Sequence, residues 1–201
     1  MKNVHYNFNK EIEKHIQESI SLKQEILDGY IEVINDIAEQ IIWAYKQHKK
    51  VIWFGNGGSA ADAQHLSCEL VSKFCMNRKA IPSIALTTNT SALTAISNDF
   101  GYDKVFERQV EALAEKRDIL IGITTSGKSK NVINALQVGK NKGAITVAFT
   151  GEYTEKIKNY ADFLIAVPSR NTPYIQESHI MIGHIICYLV EKTLFGEKNE
   201  R

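Results

Sequence analysis

From about Asn9 to Gln47 the apolar residues Ile12, Ile16, Ile20, then Ile26, Tyr30, Ile34, Ile37, Ile41 and Tyr45 recur every three to four positions. That is the period of amphipathic helix, and Gly29 marks a break between two such helices. Five compact apolar runs follow: VIWFG at 51–55, SIALT at 83–87, ILIGIT at 119–124, AITVAFT at 144–150 and FLIAV at 163–167. Continuous runs of this kind suit parallel strands buried on both faces. Helical patterns lie between them, at roughly 59–75, 103–116, 129–142 and 152–160, and a long final helix runs from about Tyr174 to Phe195. The alternation predicts an α/β fold, a doubly wound five-stranded parallel sheet flanked by helices, with an N-terminal helical extension. We place the N-terminal helices at 1–48 and the sheet domain at 49–197, in one structural unit of 201 residues.

Charge narrows the classes of partner. Lys and Arg number 24 and Asp and Glu 23, spread along the chain, for a net charge of +1. A nucleic-acid binder would carry a basic stripe, so no nucleic-acid partner is expected; the KQHKK run ending at Lys50 reads as a solvated helix end. The three cysteines, Cys68, Cys75 and Cys187, are odd in number and lack Cys-x-x-Cys spacing. They read as reduced, structural thiols of a cytoplasmic protein. The N-terminus lacks the apolar stretch of a signal peptide, and the longest apolar run, near Ile180, is interrupted by Gly183 and His184. A soluble protein with no membrane partner is expected.

Open parallel sheets bind ligands beyond the carboxyl ends of their strands, so the residues there carry most of the information. They are polar: Asn56-Gly57-Gly58-Ser59 after the first run, Thr87 to Ser91 after the second, and Thr124-Thr125-Ser126-Gly127-Lys128-Ser129 after the third. Turn and helix-cap chemistry explains any one of these loops but accounts less well for all three together.

Two nucleotide motifs overlap these loops. Gly55 to Ala60 fits the loose G-x-G-x-x-G/A pattern, yet the second run ends in Thr88 and Asn89, where a ribose-binding acid should stand. Gly122 to Ser129 matches G-x-x-x-x-G-K-[ST]. Gly122, however, falls inside an apolar run, and no later run ends in the Asp that would hold magnesium. The simpler inference is a phosphate site built from hydroxyls and free amides at the start of the helix near Ser129.

Two helices carry the candidate chemistry. His65 and Glu69 are four residues apart and share one helical face, as a surface pair also would. His184 lies in a helix apolar on nearly every side, so it is expected to be withdrawn from water and to need a polar partner. Gln176 lies two turns earlier on about the same stripe.

At this point the residues carry a family resemblance. GNGGSAADAQH at 55–65, Glu69-Leu70, Leu86-Thr-Thr with Asn98-Asp99-Phe100, TSGKS at 125–129, and IQESH at 175–179 with His184 together resemble the phosphoheptose isomerases of the sugar-isomerase (SIS) fold. The resemblance runs from about Ile31 to Phe195. It implies isomerisation of sedoheptulose 7-phosphate to D-glycero-D-manno-heptose 7-phosphate, for bacterial lipopolysaccharide or capsule heptose. It further implies a homotetramer with sites between subunits and one zinc ion per subunit, ligated by His65, Glu69, Gln176 and His184. Asn56, Gly57, Gly58, Ser59, Glu69, Asn98, Asp99, Thr124, Thr125, Ser126, Ser129 and Gln176 would bind the sugar phosphate.

Ketose–aldose conversion needs a base on the proton beside the carbonyl and a donor for the oxygens, roles that fall to Glu69 and His184. Where many relatives have Gly-Arg after Glu-Leu and Arg before Ile-Gln-Glu, this chain has Ser72-Lys73 and Tyr174, so the exact sugar stays open. Two further readings are a non-catalytic SIS protein, such as a replication-initiator-associated relative, and a P-loop NTPase. The first lacks counterparts of Glu69 and His184.

Overall fold

The computed structural model describes residues 7–196; the ends of the expected segments, at 1–6 and 197–201, lie outside the described residues. Helices α1 (Asn9–Gly29) and α2 (Ile31–Lys46) meet at Tyr30, where the expected break falls. The Tyr30 hydroxyl donates to the carbonyl of Ala166, fixing the junction to the end of the last strand. The sheet comprises β1 (Val51–Gly55), β2 (Ser83–Ala85), β3 (Ile119–Ile123), β4 (Ile145–Thr150) and β5 (Phe163–Ala166). All pairings are parallel and the spatial order is β2-β1-β3-β4-β5. The order reverses between β1 and β3, which opens a crevice above Gly55 and its register partner Ile123.

Strand side chains alternate between two cores. Val51 and Trp53 face one made with α1, α2, α3 (Gly58–Val71) and α7 (Thr172–Phe195), whereas Ile52 and Phe54 face the other. That second core lies under α5 (Glu107–Leu113) and α6 (Lys130–Asn141). Of the five strands, β1 and β3 are buried at every residue, which is why they read as unbroken apolar runs.

Some expected helices differ. Residues 152–160 form only a 3-10 turn at Lys158–Tyr160; of that stretch Ile157 alone supplies a fully buried apolar anchor. The segment expected at 103–116 is a 3-10 turn at Tyr102–Lys104 followed by α5, and the helix expected to reach 75 ends at Val71. An unexpected helix, α4 (Thr90–Phe100), follows β2; the Asn89 side chain accepts from the Ala92 amide and caps it, 3.0 Å away.

Candidate active site

Gly57 begins the turn into α3 with φ +57°, a left-handed conformation that glycine adopts without strain. Beside it, a Cβ on Gly58 would overlap the Gln176 amide, so the bare backbone lets α7 approach α3. Asn56 is fixed by exchange with Asn131: each amide donates to the other's oxygen, at 2.9 and 2.8 Å. The Tyr102 hydroxyl also donates to Asn56 Oδ1 at 2.9 Å.

Above this turn Asn56, Ser59, Thr124, Thr125, Ser126, Ser129 and Gln176 line one pocket of about 90 Å³. The Thr124 and Ser129 hydroxyls lie 3.0 Å apart, and Ser126 Oγ accepts from the Lys128 amide. Ser129 stands at the N-cap of α6, yet its hydroxyl makes no capping bond. That residue lines the pocket at the start of a helix, where backbone amides lacking helical partners favour an anion. Asn98 and Asp99 do not line this pocket. They end α4, a helix with no buried residue, and are exposed with the Asn98 amide donating to Asp99 Oδ1 at 2.8 Å.

Further along α3 and α7 is a second polar centre. His65 Nε2 lies 2.7 Å from His184 Nε2 and 3.3 Å from Glu69 Oε1. One nitrogen from each imidazole and one Glu69 oxygen fall within 4.8 Å of one another. Two imidazoles and a carboxylate are a common donor set for a divalent ion such as zinc. Burial lowers the pKa of His184, the nearby His65 lowers it further, and the Glu69 carboxylate works in the opposite sense. One turn before His65, burial raises the Asp62 carboxyl to about 6 against the opposing pull of His65.

His184 is half-buried rather than withdrawn from water, because it faces the cleft between α3 and α7. The apolar look of α7 misleads here: Ile185 and Tyr188 are also exposed, on its outer side. Cys68 and Cys75 are likewise exposed, and only Cys187 is buried, its thiol pushed up to about 12 chiefly by burial. Gln176 keeps the company of Gly58 and the hydroxyl pocket.

Sequence reading missed Tyr102, Asn131 and Phe74, whose ring packs 5.5 Å from that of His184. The first two sit on segments whose partners lie tens of residues away. Among the described residues no helix is long and apolar enough to cross a membrane.

A family model described as SIS domain matches residues 14–151. The phosphoheptose isomerase of Clostridium acetobutylicum is 56% identical over 189 residues, 93% of this chain and 96% of that protein. That of Aneurinibacillus thermoaerophilus is 50% identical over 192 residues, covering 94% and 97%. Among solved structures, the phosphoheptose isomerase of Neisseria gonorrhoeae superposes with a TM-score of 0.87 at 39% identity, covering 92% of this chain and all of the other. The enzyme from Francisella tularensis gives 0.89 at 32% identity over 93% of this chain. On fold, full-length similarity and the shared motifs, the chain belongs to the SIS-domain family and, within it, to the phosphoheptose isomerases, and is an isomerase.

Proposed function

We propose that Glu69 and His184 carry the proton transfers that convert sedoheptulose 7-phosphate to D-glycero-D-manno-heptose 7-phosphate, and that the hydroxyl pocket holds the phosphate. The observation that carries this reading is the grouping of Glu69, His65 and His184 on α3 and α7, the two helices that also lend Ser59 and Gln176 to the pocket of hydroxyls. Gln176 and His184 are eight residues apart on α7, about 12 Å of helix rise. An extended seven-carbon chain with a terminal phosphate spans roughly 10 Å from bonds of about 1.5 Å. A phosphate in the pocket would therefore set the other end of the sugar near the carboxylate.

Glu69 takes the proton from the carbon beside the carbonyl, and the resulting enediol is reprotonated one carbon away. His184, its pKa lowered chiefly by burial, passes a proton between the two sugar oxygens. The Thr124, Ser126 and Ser129 hydroxyls and the α6 amides fix the phosphate and so orient the reacting carbons. His65, Glu69 and His184 would hold a zinc ion, with Gln176 assigned to it by family resemblance; when bound, the ion polarises the sugar's carbonyl and hydroxyl oxygens.

A homotetramer in the cytoplasm fits the same reading. The α1 residues Ile12, Ile16, Ile20 and Leu27, with Ile31 of α2, are each more than half exposed, an apolar stripe that asks for a cover. Product would feed heptose biosynthesis for lipopolysaccharide or capsule. A non-catalytic SIS protein would leave the Glu69–His184 grouping without a task. The test is an isomerisation assay with sedoheptulose 7-phosphate on the purified protein, with Glu69→Gln and His184→Ala in parallel. Large loss of turnover in both folded variants is expected; full activity in Glu69→Gln would overturn the assignment.

A further inference from the structure

Behind the imidazole–carboxylate cluster lies an ion pair that the proton transfers do not use. The Arg78 and Glu191 side chains are 2% and 1% exposed, and Arg78 Nε donates to Glu191 Oε1 at 2.9 Å. Each partner also grips backbone. Glu191 accepts from the amides of Phe74, Cys75 and Met76, at 2.9, 2.6 and 2.9 Å. Arg78 donates through Nη2 to the carbonyl of Glu69 itself, at 2.8 Å, and through Nη1 to those of Leu70, Ser72 and Lys79.

The geometry is specific to the candidate chemistry. Glu69 occupies the last turn of α3, where carbonyls lack helical partners and the end would otherwise fray. Arg78 supplies those partners as a fork of fixed shape, which a lysine ammonium cannot reproduce. Glu191 stands on α7, seven residues after His184, or about two turns along the same helix. The loop between, 72–78, carries Phe74 against the His184 ring. One buried pair therefore ties the backbone of Glu69, the wall over His184 and the helix bearing His184 into a single unit.

Stability alone is a weak reason for such a pair, since buried ion pairs are often replaceable by apolar residues at no loss. We propose that Arg78 and Glu191 are positioning residues that hold the Glu69 carboxylate and the His184 imidazole in register for proton transfer. The proposal rests on the reading that Glu69 and His184 carry the chemistry. Neither residue of the pair touches the hydroxyl pocket, so phosphate binding should be indifferent to them.

The test compares kcat and KM for sedoheptulose 7-phosphate, per folded subunit of the intact protein, in Arg78→Lys, Glu191→Gln and Glu69→Gln. The expected result is a fall in kcat of about 10- to 100-fold in Arg78→Lys and Glu191→Gln, with KM essentially unchanged. A pair that served only folding would lower the melting temperature and leave kcat per folded subunit intact, and that outcome overturns the proposal. So does a rise in KM that accounts for the whole loss. If either single variant does not fold, the double replacement Arg78→Met with Glu191→Leu removes both charges together and is read in the same way. Inactive Glu69→Gln beside fully active pair variants rejects positioning alone, whereas active Glu69→Gln rejects the underlying assignment.

Discussion

His179 offers a measurable consequence of burial next to the site. It is fully buried on α7, its Nε2–H donates to the Thr150 carbonyl at 3.1 Å, and Nδ1 has no partner. A proton on Nδ1 would be a buried charge without an acceptor, so burial pushes the imidazole down to about 4 from 6.5, against the smaller, opposing effect of the Thr150 bond. Above pH 6.5 neither the native nor the unfolded chain carries this proton, and stability is unaffected. Between 6.5 and about 4 the unfolded chain takes it up and the native chain does not, so stability falls as pH falls. Below about 4 both forms are protonated and the loss stops growing. At about 1.4 kcal/mol per pH unit the whole window is worth roughly 3 kcal/mol. Carboxylates titrate in the same range, so the assay is a difference: urea unfolding of the parent and of His179→Gln, whose amide can still donate to Thr150, at steps from pH 7.5 to pH 4. The gap between the two should shift by about 3 kcal/mol against the parent as pH falls. A constant gap would refute a neutral, unpartnered imidazole at this position.

Other consequences concern the two polar centres. Ser129→Ala should raise KM for the sugar phosphate by about tenfold with kcat little changed, since a hydrogen bond to a charged group contributes about 1.5 kcal/mol or more. Steady-state kinetics check this. Exhaustive chelation should abolish turnover and added zinc restore it, while equilibrium dialysis should find one zinc per subunit in the parent and much weaker binding in His65→Ala. Gly58→Ala should reduce kcat/KM by about 100-fold, because its Cβ displaces the Gln176 amide from the pocket wall.

The parts of this molecule that the sequence discloses are those whose partners are near in the chain or whose burial is complete. Strands β1 and β3 read clearly because every residue in them is buried. That the Thr124 to Ser129 hydroxyls gather at one end of the sheet was legible because they follow a strand and open a helix. Helix α4 was missed since its apolar stripe is short, Leu93 and Ile96 packing only partly buried on the second core among Thr, Ser and Asn residues that also suit a loop. His65 and Glu69 shared a face by spacing, but their meeting with His184, 119 positions from His65, is a tertiary fact. The same holds for Arg78 and Glu191, 113 positions apart. Asn98 and Asp99 were named from the family motif alone; within one subunit they pair with each other outside the pocket.

The central claim is that Glu69 moves a carbon-bound proton through an enediol. It is tested most directly by turnover in deuterium oxide, with deuterium at the two reacting carbons followed by NMR in product and recovered substrate. The account predicts solvent deuterium in the parent reaction and neither incorporation nor turnover in folded Glu69→Gln. Many turnovers of the parent without any deuterium uptake, or undiminished exchange in Glu69→Gln, would contradict it.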